Sequence, residues 1–327
     1  MIAVVGGAGY IGSHTVKYLV EQSEPVVVFD NLSTGHQQFV PNDVPFVEGD
    51  LASFEDLHKL FTNYPNIHTV IHFAAFAYVG ESVVEPAKYY RNNLVNTVNL
   101  LDTMLVYNVK NIVFSSTCAT YGNPIALPIT EEHPQNPINP YGRTKLMMEQ
   151  LMDDYSTAYG INFAALRYFN AAGAAEDCEI GEWHEPEPHL IPLILDVALG
   201  KSEKINVFGS DFDTPDGTCI RDYIHVTDLA DAHYRAAKYL IAEKQNLQLN
   251  LANGAGYSNL EIIQMAEKVT RIPITYQLTD RRLGDPGQLI GCADKAKNII
   301  HWEPNYNLQQ IIETAWAWHQ KKFGGKV

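Results

Sequence analysis

Three glycines at positions 6, 9 and 12, directly behind the apolar run Ile2-Ala3-Val4-Val5, constrain the fold of this 327-residue chain more than any other feature. The segment Gly6-Gly7-Ala8-Gly9-Tyr10-Ile11-Gly12 leads into a helical pattern over residues 9–21, with Ile11, Val16, Leu19 and Val20 apolar. Glycines at a strand-to-helix turn allow a tight backbone, and they let a pyrophosphate approach the main chain at the positive end of the helix. A second strand, read at 26–29, is followed by Asp30, 18 residues beyond Gly12. A carboxylate at that place accepts hydrogen bonds from an adenosine ribose and repels a 2′-phosphate. The expected cofactor is therefore NAD rather than NADP.

The rest of the first half keeps the same rhythm. Strands are read at 45–47, 69–73, 112–114 and 163–166, and helices at 54–61, 86–107 and 140–159. Phe54, Leu57, Leu60 and Phe61 are placed on one apolar helix face. Strand and helix in alternation specify an α/β fold, a Rossmann-type doubly wound parallel sheet. Beyond residue 170 the rhythm breaks. Residues 176–192 are rich in Glu, Pro and His and read as a solvated strap leading into a helix over 190–199. A run at 248–251 has the character of a strand returning to the first sheet. The expected organisation is an NAD-binding domain over 1–169, with a returning segment near 222–252, and a smaller α/β C-terminal lobe over 170–327 that binds substrate.

Composition narrows the partners. Lys plus Arg is 23 against 38 for Asp plus Glu, a net charge of −15. Such acidity weighs against nucleic acid and against an anionic membrane surface, both of which need a basic face. No apolar run approaches the roughly 18 residues of a spanning helix. Four dispersed cysteines (Cys118, Cys178, Cys219, Cys292) show neither a zinc spacing nor a disulfide framework, which suits a reducing cytoplasm. His184 and His189 stand among Glu182, Glu185 and Glu187, yet no metal-binding motif is present and no metal is expected.

Two Tyr-x-x-x-Lys pairs occur, Tyr141/Lys145 and Tyr234/Lys238. Tyr141 follows Asn139-Pro140 at a helix start, beyond the strand-end segment Phe114-Ser115-Ser116-Thr117, where ligands gather in a doubly wound sheet. Tyr234 lies within an ordinary amphipathic helix and is not expected to act. The i, i+4 spacing puts Tyr141 and Lys145 on one helix face. A free phenol titrates near pH ~10, and a nearby ammonium together with the positive nicotinamide ring is expected to favour the phenolate. Tyr141 is then a base for a substrate hydroxyl. Lys145 also bonds the nicotinamide ribose, and Thr117 holds the reacting oxygen.

These motifs resemble the extended short-chain dehydrogenase/reductases and, among them, the UDP-glucose 4-epimerases. The resemblance spans nearly the whole chain. It rests on residues 6–13, Phe29-Asp30-Asn31, Gly49-Asp50, Ile71-His72-Phe73-Ala74-Ala75, Val79-Gly80-Glu81-Ser82, 89–93, 114–122, 141–145, Arg167-Tyr168-Phe169-Asn170, Asp216-Gly217-Thr218, 220–226, and Arg281, Arg282, Gly284 and Asp285. It implies a retained NAD, oxidation of a UDP-sugar at C4, rotation of the keto-sugar and re-reduction, interconverting UDP-galactose and UDP-glucose. Thr117, Tyr141 and Lys145 are the implied catalytic set. Gly6, Gly9, Tyr10, Ile11, Gly12, Asp30, Asn31, Asp50, Leu51, Phe73, Ala74, Ala75, Asn92, Ser115 and Tyr168, with Tyr141 and Lys145, are the implied NAD contacts. Asn170, His189, Leu190, Phe208, Arg221, Tyr223, Arg282 and Asp285, with Thr117 and Tyr141, are those implied for the UDP-sugar. A homodimer through the helices at 86–107 and 140–159 is implied as well.

The chain departs from the pattern at four places. Thr117 replaces a common serine but keeps its hydroxyl. Ala77 replaces a lysine of some members, and His189 an asparagine. Leu289 takes a position that is a bulky tyrosine in some members, which implies room for N-acetylated UDP-hexosamines. Of the rival functions, a dTDP-glucose 4,6-dehydratase needs an Asp-Glu pair after the threonine, where Cys118-Ala119 stands here. A pentose or uronate 4-epimerase shares the same C4 chemistry and stays open. A non-catalytic NAD-sensing protein, the alternative from another class, usually lacks the Tyr/Lys pair.

Overall fold

Along Ile2–Val5 (β1), Ile2 and Val4 belong to one apolar layer and Ala3 and Val5 to another, and all four are buried. A strand buried on both faces needs helices on both sides, which is the condition of a parallel sheet. The computed structural model describes residues 1–282 and 284–324. Six further strands join β1: Val26–Asp30 (β2), Phe46–Glu48 (β3), Thr69–His72 (β4), Asn111–Thr117 (β5), Asn162–Tyr168 (β6) and, much later, Leu247–Leu251. All pair in parallel, in the spatial order Leu247–Leu251, β6, β5, β4, β1, β2, β3. The order reverses between β1 and β4, and a crevice opens there beyond the carboxyl ends of the strands.

Helix Tyr10–Glu21 (α1) covers one face through Val16 and Leu19. Helices Phe54–Asn63 (α2), Asn96–Val106 and Pro140–Tyr159 cover the other, through Leu57, Leu60, Leu100, Met104, Met148 and Met152. Phe54 departs from the expected apolar face and stands 51% exposed in the first turn. The helix read over 86–107 is interrupted. It follows a short helix, Val79–Val84 (α3), and then runs as Pro86–Tyr89 (α4), a π-helical stretch Tyr90–Val95 and Asn96–Val106 (α5). The extra backbone residue of a π turn is a local feature of functional sites, and this one carries Asn92 and Asn93.

Pro140–Tyr159 (α6) starts with Asn139 as cap, its Oδ1 accepting Gly142 N–H at 2.8 Å, and with Pro140 in the first turn. After β6 comes Asn170–Ala172 (β7), the helix Leu190–Ala198 (α7), Ile205–Phe208 (β8) and Ile220–His225 (β9). Val226–Glu243 (α8) then returns to pack beside α1, and Leu247–Leu251 (β10) extends the first sheet. The strand β9 does not enter that sheet. It pairs with β7, with Gly256–Ser258 (β11) and with Gln288–Leu289, while β8 pairs with Tyr276–Thr279 (β12). A separate apolar core under this second part holds Ile191, Ile194, Val207, Ile262, Ile311 and Ile312.

Candidate active site

The glycine loop is shaped by contact distances. Gly6 has φ 81°, and a Cβ there would lie 2.6 Å from the backbone nitrogen of Ala74. A Cβ on Gly12 would lie 2.1 Å from the carbonyl oxygen of Gly6. Both positions therefore demand glycine for the fold alone. Gly9 is different: its added Cβ meets only Gly6 O, at 3.4 Å. Gly9 caps α1 without any side chain, leaving the first N–H groups of that helix to an anion.

Asp30 closes β2, buried. Its Oδ2 accepts Ala8 N–H at 2.9 Å and its Oδ1 accepts Leu32 N–H at 2.8 Å, which fixes the carboxylate beside the glycine loop. Burial raises its pKa against the pull of those two N–H groups. Asn31, just after β2, donates to Asp50 Oδ2 at 2.8 Å, and Asp50, after β3, accepts Ala52 N–H through Oδ1 at 2.7 Å. The turn after β4 carries Phe73, Ala74 and Ala75 and is held by a residue with no role in the sequence reading. Buried Asn93, in the π-helical stretch, accepts Phe76 N–H at 2.9 Å and donates to Phe76 O at 3.0 Å and to Thr144 at 3.3 Å. Asn92 donates to Asn93 Oδ1 at 3.0 Å.

The end of β5 and the start of α6 bring together Thr117, Tyr141 and Lys145. Gly142 lets α6 approach, since a Cβ there would sit 2.4 Å from Ala119 O. Lys145, 2% exposed, donates from Nζ to Ser115 O at 2.8 Å. Burial pushes its pKa down to about 7, with Glu149 acting in the opposite direction. Burial also drives the Tyr141 phenol well above its ordinary value, with Tyr168 adding to the rise and Thr117 opposing it. Lys145 Nζ is 6.0 Å from the Tyr141 ring centroid and is itself desolvated; the expected shift towards phenolate rests on the lysine together with the nicotinamide ring. Tyr168 bonds the Ser115 hydroxyl, and Thr117 Oγ1 accepts Ala119 N–H at 3.1 Å.

Behind this triad lies a buried network that sequence reasoning missed. Ser116 bonds Glu149, and Gln135 donates to Glu149 at 3.1 Å. Arg167 donates to Tyr121 OH at 3.0 Å, and Tyr121 donates to Asn250 at 2.6 Å. These links cross β5, β6, β10 and α6, and they fix the strand end that carries Thr117.

Opposite stand the groups from the second part. Asn170 heads β7, in register with Tyr223. Arg221 is buried, with Nη1 donating to Ile220 O at 2.9 Å and Nη2 3.8 Å from Asp285 Oδ1. The Arg282 guanidinium lies over Phe208, 3.9 Å from the ring centroid, an arrangement that keeps a cation while presenting its donors. Leu190 starts α7, capped by His189. One cleft of about 730 Å³ gathers every residue named in the sequence reading as catalytic, cofactor-binding or substrate-binding, and Leu289 with them. That volume suits a small-molecule site. Tyr234 and Lys238 do not line it; Lys238 pairs instead with Glu24 at 3.3 Å.

The strap departs in part from the expected solvated loop: Glu182, His184 and Glu187 have side chains 8%, 16% and 14% exposed, whereas Glu185 and Pro186 are exposed and the His189 side chain is 40% exposed. Trp318 anchors the strap by donating to Glu182 O at 3.2 Å, and His36 stacks on Trp183 with ring centroids 3.7 Å apart.

The sequence matches the NAD dependent epimerase/dehydratase family over residues 2–252. The chain is 51% identical over 321 residues to a UDP-glucose 4-epimerase of Halalkalibacterium halodurans, covering 98% of this chain and 96% of that protein. It superposes on the crystal structure of UDP-glucose 4-epimerase from Brucella ovis in complex with NAD with a TM-score of 0.93, at 50% identity and 97% coverage of both chains. It is also similar to the UDP-Glc/GlcNAc 4-epimerase of Campylobacter jejuni, with a TM-score of 0.84, 41% identity, and coverage of 98% of this chain and 99% of that one.

Proposed function

Since the chain belongs to the NAD dependent epimerase/dehydratase family, we propose that its cleft performs C4 epimerisation through Thr117, Tyr141 and Lys145. The protein is an NAD-dependent isomerase that interconverts UDP-galactose and UDP-glucose. The observation that carries the assignment of residues is the meeting of these three side chains at the end of β5, in one cleft with Asp30 and the glycine loop.

The residues present fit NAD. The uncapped start of α1 and the room at Gly9 suit its pyrophosphate, and the fixed carboxylate of Asp30 suits an adenosine ribose. When bound, NAD would supply the acceptor and donor of the C4 hydride and a positive charge to the site. The chain does the rest. Tyr141 Oη accepts the proton of the sugar O4 as C4 is oxidised, and it returns that proton on reduction. Thr117 holds the same oxygen from the strand end. Lys145, fixed by Ser115 O, bonds the cofactor ribose and adds its charge on the Tyr141 side.

Arg221 and Arg282 bind the UDP pyrophosphate, which reconciles a chain of net charge −15 with an anionic substrate. Because the reducing equivalents return to the sugar, no net redox change occurs. The keto-sugar must turn within the cleft between the two transfers, so the uridine end is held tightly and the hexose end loosely.

Two extensions rest on surface and pocket features. The protein works as a homodimer through the helical layer of α3 to α6, where Val83, Val84, Val95, Val106 and Met147 are exposed by 36% to 75%. It also turns over N-acetylated UDP-hexosamines, because Leu289, which lines the cleft, is smaller than a tyrosine there would be. Four unbonded cysteines, two of them buried, suit placement in the reducing cytoplasm. No helix among the described residues is long and apolar enough to cross a membrane. The deciding experiment is incubation of the purified protein with UDP-galactose without added NAD. UDP-glucose is expected; no conversion by protein that demonstrably contains NAD defeats the reading. Parallel incubations with UDP-pentose and UDP-uronate separate the hexose reading from its nearest rivals.

A further inference from the structure

We propose that the strap between Gly181 and Leu190 is a divalent-cation site built by Glu182, His184, Glu187 and His189. One ligand atom from each of these four side chains lies within 4.8 Å of all the others. Four of the spacings are close to those of a coordination shell. His189 Nδ1 is 2.8 Å from Glu182 Oε1 and 2.8 Å from Glu187 Oε1, while His184 Nδ1 is 3.3 Å from Glu187 Oε2 and 3.7 Å from Glu182 Oε1. Donors about 2.1 Å from a central ion stand roughly 2.9 to 3.4 Å apart along the edges of an octahedron or tetrahedron.

A second observation points to a ligand. The Glu182 side chain is 8% exposed, yet among the described residues no lysine or arginine pairs with it or with Glu187. His189 Nδ1 touches both carboxylates, but one ring nitrogen carries at most one hydrogen, and only the contact to Glu187 has the direction of a hydrogen bond. The buried Glu182 carboxylate thus faces His189 at 2.8 Å and His184 at 3.7 Å, both within the cluster. Two carboxylates held this close in a nearly closed space, with no lysine or arginine beside them among the described residues, suit a divalent cation.

The donor set identifies the ion. Two imidazoles and two carboxylates suit Zn²⁺, or another late first-row dication, rather than Mg²⁺ or Ca²⁺, which take oxygen shells. The placement identifies the role. The His184 ring lies edge-on to Tyr10 of the glycine loop with centroids 6.4 Å apart, Tyr78 lies 6.0 Å from both histidine rings, and His189 caps α7. A cation here clamps the strap across the seam between the glycine loop and α7. It is a positioning site, taking no part in the proton or hydride transfers.

The test uses the NAD-loaded protein, freed of metal by dialysis against a chelator and titrated with Co²⁺ and then with Zn²⁺. We expect one equivalent of Co²⁺ with visible d–d absorption, displaced by one equivalent of Zn²⁺, and a rise in melting temperature on binding. His184→Ala and Glu187→Gln should each weaken binding by at least about tenfold, and the exposed control His58→Ala should bind as the parent does. Absence of a stoichiometric Co²⁺ band in the parent protein overturns the proposal whatever the variants do. Parent-like affinity in both strap variants overturns it equally, by placing the ion elsewhere.

Discussion

Arg167 grips Glu149 with its fork: Nη2 donates to Oε2 at 2.7 Å and Nε to Oε1 at 3.0 Å, and the two side chains are 2% and 3% exposed. Glu149 lies one turn beyond Lys145 on α6, and Arg167 directly precedes Tyr168 on β6. The pair therefore joins the helix of the proposed base to the strand beside it.

Removing one partner strands a buried charge. Arg167→Met should cost about 3–5 kcal/mol, seen as a clear drop in melting temperature of the NAD-loaded protein. The double variant with Glu149→Leu should recover part of the loss, because no charge is then left unpaired. A melting temperature unchanged in the single variant contradicts this account.

Tyr141→Phe removes the proton acceptor and leaves the cleft otherwise intact. The variant should keep its NAD, read from absorbance after denaturation, and lose about 100-fold or more in kcat on UDP-galactose. Near-parental turnover would remove Tyr141 from the proposed mechanism.

Lys145 gives a pH signature in protein stripped of NAD. Unfolded lysine stays protonated up to pH ~10.5, whereas burial brings the folded value down to about 7. Between these values the unfolded chain binds more protons, so stability rises with pH from about 7 towards 10.5. The penalty is fully present below pH 7 and is relieved as pH climbs. In Lys145→Met, melting curves over the same range should lack this increment.

Leu289, 7% exposed, lines the cleft on the proposed sugar side. Leu289→Tyr adds bulk there. Relative turnover of UDP-N-acetylgalactosamine to UDP-galactose should fall about tenfold or more. An unchanged ratio would show that the acetamido group lies elsewhere.

Val84 and Val95 are 75% and 52% exposed on the helical layer. Val84→Asp combined with Val95→Asp should shift the mass measured by light scattering from dimer towards monomer. A parent mass unaffected by the pair places the interface on another face.

The glycine loop and Asp30 were legible because their chemistry is local: turn, helix start and strand end follow one another in sequence. Tyr141 was separable from Tyr234 by context alone; Tyr141 lines the cleft and Tyr234 does not. The π-helical stretch was not legible, since residues 90–95 read as ordinary helix and the distortion comes with Asn93 reaching Phe76 and Thr144. The pairing of Glu149 with Arg167 was not legible for a similar reason: Arg167 stood only as part of a motif, and its partner lies 18 residues away. The strap misled in the opposite direction. Glu, Pro and His suggested solvent, but its carboxylates and imidazoles face one another.

The late arrival of β10 has a consequence for synthesis. The face of α1 that meets α8 is bare until Val226–Glu243 is made, and β6 is an open sheet edge until Leu247–Leu251 follows. About 80 residues separate the end of β6 from the start of β10, which at typical ribosomal speeds amounts to several seconds. During that interval the nascent chain offers unpaired backbone to any neighbour. The N-terminal sheet is therefore finished only after about half of the C-terminal part has been made, so the two parts are synthesised interleaved rather than one after the other.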